Sequence, residues 1–339
     1  MEKALRIELL EKKSQLEQTR DQLKSEFIGF DKLIDSIIDK LSSWYNFAHM
    51  QQQPRVINIW GAQDAGKYSL VKRLTDLLGF AKDTKAISIM DEEQEENKTS
   101  FVTIIQYFQF PNSEEMNLKL HKKVWGVISK ADQYEKQPLV FVLGTINSIY
   151  LNTSGNTITS SISADKLKEL MHLYFTREQI AVLGEHHLII PSLTSDEVNK
   201  LIGKRINHIH DSFLTTYGIP FKFDISVPVF VFRQFFQTRN QAELSVTSLI
   251  QKYVLNFTNE VLTEAAIQNI LFETIQVREE AGLMIADYIR NGRTVYQFKY
   301  QFVKMRLEDM KPKQQAPEID LNKRVLKSTP KMNQVRLSA

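Results

Sequence analysis

A glycine-rich segment at residues 56–68 constrains the fold of this chain more than any other part of its sequence. An apolar, strand-like run leads into Gly61 and Gly66, which are five residues apart, and Lys67 follows directly. A helix-like run comes next, and this order is typical of a loop that cradles phosphate groups with its main-chain N–H groups. The position after the lysine departs from the pattern, because Tyr68 stands where a serine or threonine hydroxyl would hold Mg²⁺.

Composition limits the classes of function that are open to the chain. Its 339 residues, 42% hydrophobic and 24% charged, predict a globular protein of two or three domains. The formal net charge of +3 is small for this length and does not indicate a dedicated nucleic-acid-binding protein. The absence of cysteine excludes disulfides, thiolate metal sites and cysteine nucleophiles. No apolar run approaches the roughly 20 residues that a membrane-spanning helix needs, so the sequence predicts a cytoplasmic protein without a membrane span.

Apolar, strand-like runs alternate with amphipathic helical runs up to about residue 190. This alternation predicts a parallel sheet that is covered by helices on both faces. The expected strands are 55–60, 86–90, 101–108, 139–144 and 187–190, and the expected helices are 32–47, 69–78, 113–129 and 164–174. Further helices are expected at 195–217, 226–237 and 244–266, followed by β-rich runs at 271–277 and 294–304. This change of pattern predicts a second, smaller domain.

The two ends of the chain differ from its middle. Residues 1–27 carry Leu9, Leu16 and Leu23 at heptad spacing and predict an amphipathic helix, which either packs on its own domain or forms a coiled coil with another chain. From residue 311 to the end there are seven basic and two acidic residues. We therefore expect a basic, disordered tail over 306–339, which is solubilising or docks on a partner. The predicted domains are 1–27, 28–193, 194–305 and 306–339.

The order of these elements resembles that of the AAA+ ATPases, and within them the second ATPase module of the Clp-type protein unfoldases. Residues 25–31 look like the family's entry segment, and residues 175–194 look like its passage into the last strand and the lid domain. Residues 217–219 and 244–254 resemble the lid itself, so the resemblance covers roughly 25–265. It implies an α/β fold: a P-loop AAA+ module with a five-stranded parallel sheet flanked by helices, and a smaller helical or α+β lid domain.

The resemblance also indicates which catalytic groups this chain lacks. Phosphoryl transfer is catalysed by positioned charges, and the family's acidic pair at the end of the third strand falls on Gln106 and Tyr107, which carry no negative charge. The family's arginine finger falls near 181–183, where there is no basic side chain. Arg177 and Arg239 lie near the family's two arginine positions, but an ordinary surface role is the favoured interpretation of each. We expect neither a catalytic residue nor a metal ligand.

The parts of a nucleotide site that remain are the loop and one polar residue. The candidate cofactor-binding residues are Gly61, Gly66, Lys67, Tyr68, Ser69 and Asn147. The resemblance matches Asn147 to the polar sensor residue at the end of the family's fourth strand, although asparagine is also an ordinary turn residue. Ser69 does not replace the missing hydroxyl, because the next position on a helix points about 100° away. No cofactor is required in this interpretation, and ATP or ADP can bind without tight Mg²⁺.

The sequence therefore predicts a catalytically inactive AAA+-like subunit, a pseudo-ATPase, that serves as an interaction or scaffold component and can retain weak nucleotide binding. Its expected partners are proteins, such as an active AAA+ ATPase or a secretion or quality-control assembly, and no specific nucleic acid. One alternative is an active but divergent NTPase of the AAA+ or STAND kind, with Asp91 and Glu92 at the metal. Another is a passive subunit of a heteromeric AAA+ ring.

Overall fold

The structure is a computed structural model. It describes residues 3–62, 65–91, 100–111, 113–129, 137–146, 164–191, 193–238 and 245–302. The chain divides into two compact units, Met1–Tyr300 and Gln301–Ala339. The predicted tail over 306–339 lies outside the described residues.

Helices and strands alternate through the first part of the chain, close to the predicted bounds. They are α1 (Lys3–Glu26), α2 (Asp31–Phe47), β1 (Arg55–Gly61), α3 (Lys67–Leu77), β2 (Thr84–Ser88), β3 (Val102–Phe108), α4 (Glu114–Leu120), α5 (Gly126–Ser129), β4 (Leu139–Thr145), α6 (Ala164–Tyr174), α7 (Arg177–Leu183) and β5 (His187–Ile189). A π-helical turn at His121–Trp125 joins α4 and α5 into one helix.

In the described part of the chain, five strands form a parallel sheet in the order β2-β3-β4-β1-β5. This arrangement confirms the predicted fold class. β1 pairs with β4 over its whole length, and all its residues after Arg55 are buried. Strands that are covered on both faces read as continuous apolar runs, which is why β1 and β4 are evident in the sequence. The loop that follows β1 lies at the carboxyl edge of this parallel sheet, between the ends of β4 and β5.

Hydrophobic cores lie on both faces of this sheet. On one face Ile57 and Ile59 of β1 pack with α1, α2 and α3. Trp44 of α2 is fully buried there, and its indole N–H donates to the carbonyl of Gln137 at 2.8 Å. On the other face Trp60 packs in an aromatic cluster with residues of β3 and of the helices from α4 to α7. The two cores together hold the sheet and the loop at its edge.

The amphipathic N-terminal helix packs on its own chain. Leu16 and Leu23 of α1 are buried in the core shared with α2 and α3. The Nζ atom of Lys24 lies 2.7 Å from a carboxylate oxygen of Asp35 in α2. The heptad leucines in the second half of the helix therefore serve the internal core, whereas Leu10 in its first half is 57% exposed.

After β5 the chain builds a smaller region of helices and a mixed sheet. Its elements are α8 (Ser195–Tyr217), β6 (Phe221–Phe223), α9 (Ser226–Thr238), α10 (Val246–Ile250), α11 (Asn256–Ile267), β7 (Thr274–Glu280), β8 (Leu283–Arg290) and β9 (Arg293–Gln301). The strand order is β6-β7-β8-β9. Within the described ranges, no helix combines the length and the apolar character that crossing a bilayer requires.

The sequence pattern does not predict two strands of this second sheet, β6 and β8. β6 has three residues, and β8 is buried on both faces between Met284 and Tyr288, so neither shows the alternation of a half-buried strand. The turns that flank β8 were the better signal. Ala281 with Gly282, and Asn291 with Gly292, all have positive φ, as two-residue hairpin turns require.

Candidate anion-binding site

The loop between β1 and α3 is shaped by its two glycines. A Cβ atom on Gly61 would lie 3.1 Å from the Cβ atom of Ile190, so a larger residue at this position would push against the segment after β5. Gly66 has a φ of +86°, which L-residues with side chains rarely adopt, and it directly precedes α3. Residues 63 and 64 lie outside the described part of the loop.

Lys67 lies at the base of this loop and is only 8% exposed. Its Nζ atom donates to the carbonyl oxygen of Gly61 at 3.1 Å and to that of Ala62 at 2.5 Å. The side chain is thus folded back onto the start of the loop, and its ammonium lies against the carbonyl oxygens of Gly61 and Ala62. The N–H groups of a first helical turn have no acceptor within the helix and carry the positive end of its dipole. Charge and donors together make the loop suitable for an anion.

The next two predicted residues follow Lys67 on α3 but lie at its surface. Tyr68 is 37% exposed, and Ser69 is exposed as well. The structure therefore brings Gly61, Gly66 and Lys67 together around the loop. The sixth predicted residue, Asn147, lies outside the described residues, so its role stays a prediction.

The end of β3 is irregular at the two residues that the resemblance matches to the acidic pair. Ile105 pairs with Val142 of β4, but Phe108 pairs with Gly144, so β3 carries one extra residue there. Such a β-bulge changes the direction of the side chains beside it. Tyr107, in the bulge, has a φ of +61° and is 45% exposed. A bulky residue rarely adopts this conformation, and nothing in the sequence pattern indicates it.

Among the residues that the structure describes, this edge shows no cluster of carboxylates. In the described part of the chain, no group of three or more histidine, aspartate or glutamate side chains is arranged to hold a metal ion. Asp91, which the alternative interpretation needs at the metal, follows β2 at the far side of the sheet. Three strand steps separate β2 from β1, which is about 14 Å at the usual spacing. Lys123 also holds the end of β2, because its ammonium donates to the carbonyl oxygens of Ser88 and Asp91.

The turn before α2 lies against the loop and against the start of the second region. The ring of Phe30 lies 3.9 Å from the point where a Cβ atom on Gly66 would stand. Gly29 has a φ of +80°, and a Cβ atom there would clash with Leu193 at 2.4 Å. A side chain at position 29 would therefore separate this turn from the segment that leads into α8.

A group of charged residues joins α1, α3 and α8 next to this turn. Arg73 of α3 makes two hydrogen bonds of 2.8 Å to the carboxylate of Glu26, and its guanidinium lowers the pKa of that carboxyl group. Lys204 of α8 donates to the main-chain oxygens of Ser25 and Glu26, both at 3.1 Å. The sequence does not predict these contacts, because the partners lie 47 and 178 or more residues apart and no local pattern links them.

The end of β1 is tied to β5 by a histidine. The Nε2 atom of His187 lies 2.9 Å from the carbonyl oxygen of Gly184 and must donate to it. The Nδ1 atom therefore accepts from the indole N–H of Trp60, at 3.1 Å. Burial is the main cause that lowers the pKa of His187, and the nearby charges of His186 and Lys168 act in the same direction. The ring is built into the fold in its neutral form.

We expect acid to destabilise the protein through His187. Its folded pKa lies below the ordinary value of about 6.5, so its contribution is present above that pH and is lost as the pH falls through the folded pKa. The melting temperature should therefore drop between pH 7.5 and pH 5.5 in low-salt buffer. His187→Gln, which cannot titrate, should show a smaller drop, whereas the exposed control His208→Gln should keep the full one. Equal drops in all three proteins would contradict this assignment.

Comparison with known proteins identifies the fold but not a sequence family. No protein-family model matches the chain, and no curated protein matches it in sequence. The chain is similar in structure to Hsp104 of S. cerevisiae in an extended complex with casein, with a TM-score of 0.55 and 12% identity over 78% of this chain and 50% of the other. It is also similar to Hsp104 in a closed state with ATPγS and FITC casein, with a TM-score of 0.58 and 12% identity over 83% of this chain and 53% of the other.

These similarities have a limited meaning. The chain spans about half the length of the Hsp104 chains it matches, and at 12% identity the likeness is one of fold alone. Over most of its length the chain therefore shares the fold of these Hsp104 chains, and in this chain that fold consists of a five-stranded parallel sheet flanked by helices and a smaller mixed region.

Proposed function

We propose that this chain is a catalytically inactive AAA+-like subunit that acts through protein contacts, as an interaction or scaffold component of an assembly. The observation that carries the proposal is the end of β3. Gln106 and the bulged Tyr107 stand at this end, where hydrolysis needs one carboxylate to organise Mg²⁺ and another to polarise water. Neither side chain offers a carboxylate, since Gln106 carries an amide and Tyr107 a phenol.

The loop supports binding of an anion. Gly61 and Gly66 keep the main chain open, and Lys67 holds a positive charge at the start of α3. These groups fit the phosphates of ATP or ADP by charge and by hydrogen-bond donors. We therefore include weak nucleotide binding in the proposal, with Lys67 and the first main-chain N–H groups of α3 as the contacts.

The same site does not fit a divalent cation. Mg²⁺ prefers oxygen ligands, usually carboxylates and a serine or threonine hydroxyl beside the loop lysine. Tyr68 provides a phenol at the end of a long ring, and it is directed to the surface. Asp91 supports the alternative of an active NTPase poorly, because three strand steps separate it from the loop. We therefore assign no catalytic step to bound metal, and a cytoplasmic location and protein partners remain part of the proposal.

The experiment is a pair of measurements on the purified full chain. We expect no ATP turnover above the buffer blank in the presence of Mg²⁺, because each missing charge is typically worth about 10² to 10⁵ in rate. Binding of a fluorescent ATP analogue, titrated with and without EDTA, should be weak and independent of the metal. Lys67→Ala should weaken this binding, whereas Lys72→Ala, an exposed lysine on the same helix, should not.

Turnover is the result that overturns the proposal. If the wild-type chain and Lys72→Ala hydrolyse ATP while Lys67→Ala does not, the active-NTPase alternative is correct. Turnover that appears only with a co-purifying AAA+ protein would instead identify a heteromeric ring.

A further inference from the structure

The strand β9 presents an unusual edge. It has nine residues and is the last strand in the order β6-β7-β8-β9. Among the strands that the structure describes, none pairs with its outer side, so a row of main-chain N–H and C=O groups faces outward. Natural proteins usually shorten, cover or interrupt such edges, because another strand can add to them. β9 contains no proline, and its length makes it a template for strand addition.

The two faces of β9 differ in chemistry. Tyr296 and Phe298 are directed towards α11: the hydroxyl of Tyr296 donates to Glu264 at 2.7 Å, and the ring of Phe298 stacks on that of Phe257 at 6.1 Å. Tyr296 is nevertheless 36% exposed. An added strand would find partly uncovered aromatic surface on this face.

The opposite face of β9 is basic. Successive side chains alternate between the faces of a strand, so Arg293, Val295 and Lys299 lie opposite the aromatic face. Val295 is 50% exposed. With Arg290 and Asn291, Arg293 and Val295 line a recess of about 460 Å³ at the β8–β9 turn. Within the described residues, no carboxylate lies within ion-pair distance of Arg290, Arg293 or Lys299.

We propose that the outer edge of β9 is a docking site for an extended segment of a partner protein, in which acidic residues alternate with apolar ones. Such a segment adds as a fifth strand, and its main chain pairs with that of β9. Its acidic side chains lie beside Arg293 and Lys299, and its apolar side chains cover Tyr296 and Phe298. The basic side chains on one face of β9 and the aromatic side chains on the other define the alternating pattern of the partner segment. The main-chain hydrogen bonds supply affinity.

A second copy of this chain fits the edge less well. In an antiparallel pair of two copies centred on Gln297, each Lys299 lies diagonally across from the other copy's Arg293. Like charges at this distance oppose self-pairing, and edge lysines are a known device against it. The same charges attract an acidic strand. This inference rests on the proposed interaction role. The residues of β9 are remote in sequence from the loop after β1. A failure of the peptide-binding assay is therefore distinguishable from a failure of the nucleotide assays.

The test uses the full chain and labelled synthetic peptides. The probe is Thr-Glu-Val-Glu-Ile-Glu-Val-Thr, and its charge-reversed partner replaces each glutamate by lysine. We expect the acidic peptide to bind, and the basic peptide to bind at least about tenfold more weakly, as measured by fluorescence anisotropy. Hydrogen exchange should show new protection of the β9 amides with the acidic peptide. Two further acidic peptides test main-chain pairing. Each is N-methylated along one of its own two strand edges, so only one of them keeps the N–H groups that face β9. That peptide should bind and the other should not.

Matched variants test the site. The double variant Arg293→Glu with Lys299→Glu should lose the acidic peptide and gain the basic one. Lys222→Glu, an exposed lysine on β6 at the opposite edge of the same sheet, should bind like the wild type. Circular dichroism checks that both variants fold.

Four outcomes would overturn the proposal. The first is no binding of the acidic peptide up to about 1 mM, and the second is equal binding of the two methylated peptides. The third is a preference for the acidic over the basic peptide that persists in the double variant. The fourth is a concentration-dependent dimer of the wild type that the double variant does not form. The last of these would assign the edge to a second copy of the chain.

Discussion

Trp60→Ala should lower the free energy of unfolding by about 3–5 kcal/mol, the range for truncating a large buried aromatic side chain. Trp60 is fully buried, and its ring centroid lies 5.3 Å from that of Phe108 and 5.6 Å from that of Phe110. Its indole N–H also donates to His187 on β5. Truncation therefore removes the packing and the hydrogen bond that hold the end of β1, directly before the loop.

Urea unfolding followed by far-ultraviolet circular dichroism measures this loss without relying on tryptophan fluorescence. Trp60→Phe should lose less stability, because it keeps part of the ring volume. Tyr217→Ala, at a site 64% exposed, should stay within about 0.5 kcal/mol of the wild type. A loss below about 1 kcal/mol for Trp60→Ala would mean that the aromatic cluster relaxes into the space, and that Trp60 does not hold the strand end.

Gly144→Ala should lower the free energy of unfolding by about 1–3 kcal/mol, as overpacking of a core does. Gly144 lies opposite Trp60 in the β1–β4 pair, and a Cβ atom there would lie 2.3 Å from the indole ring. That distance is well inside van der Waals contact. Trp60 must therefore move away from its present position, or the two strands must separate.

A double-mutant cycle isolates this contact. In a Trp60→Ala background the indole is gone, so Gly144→Ala should have almost no further effect, and the two changes should be strongly non-additive. Gly203→Ala in α8 is the matched control, because a Cβ atom there meets nothing within 4 Å. It should raise stability by about 0.5–1 kcal/mol, as alanine is favoured over glycine inside a helix. Additive losses at positions 60 and 144 would exclude the predicted clash.

The strands of the first sheet could be predicted because they are buried on both faces. Their apolar runs, such as 139–144, are local patterns, and the structure places β4 at Leu139–Thr145. The loop glycines and Lys67 were also predictable, since a phosphate-binding loop requires glycines and a lysine at this spacing. β8 is also buried on both faces, but it was missed, because periodicity alone does not distinguish a short buried strand from a buried helical segment.

The candidate site shows the same division. The sequence predicted a loop lysine, whereas the replacement of the family's acidic pair by Gln106 and Tyr107 is what the resemblance implies and stays a prediction. It did not predict that β3 would bulge at these residues, because a bulge depends on the register with β4. Nor did it predict the contacts among Glu26, Arg73 and Lys204, which come from three separate helices. These groups are neighbours through packing and not through chain order.

Local patterns in the chain were sufficient for the alternation of strands and helices and for the glycine-rich loop, since each depends on neighbouring residues alone. Tertiary packing decided where the side chains act: Lys67 on the carbonyls of Gly61 and Ala62, Trp60 over Gly144, and β9 at an open edge. The physical reason is that these arrangements join residues through strand register and core packing, and no local periodicity records which distant segments will meet.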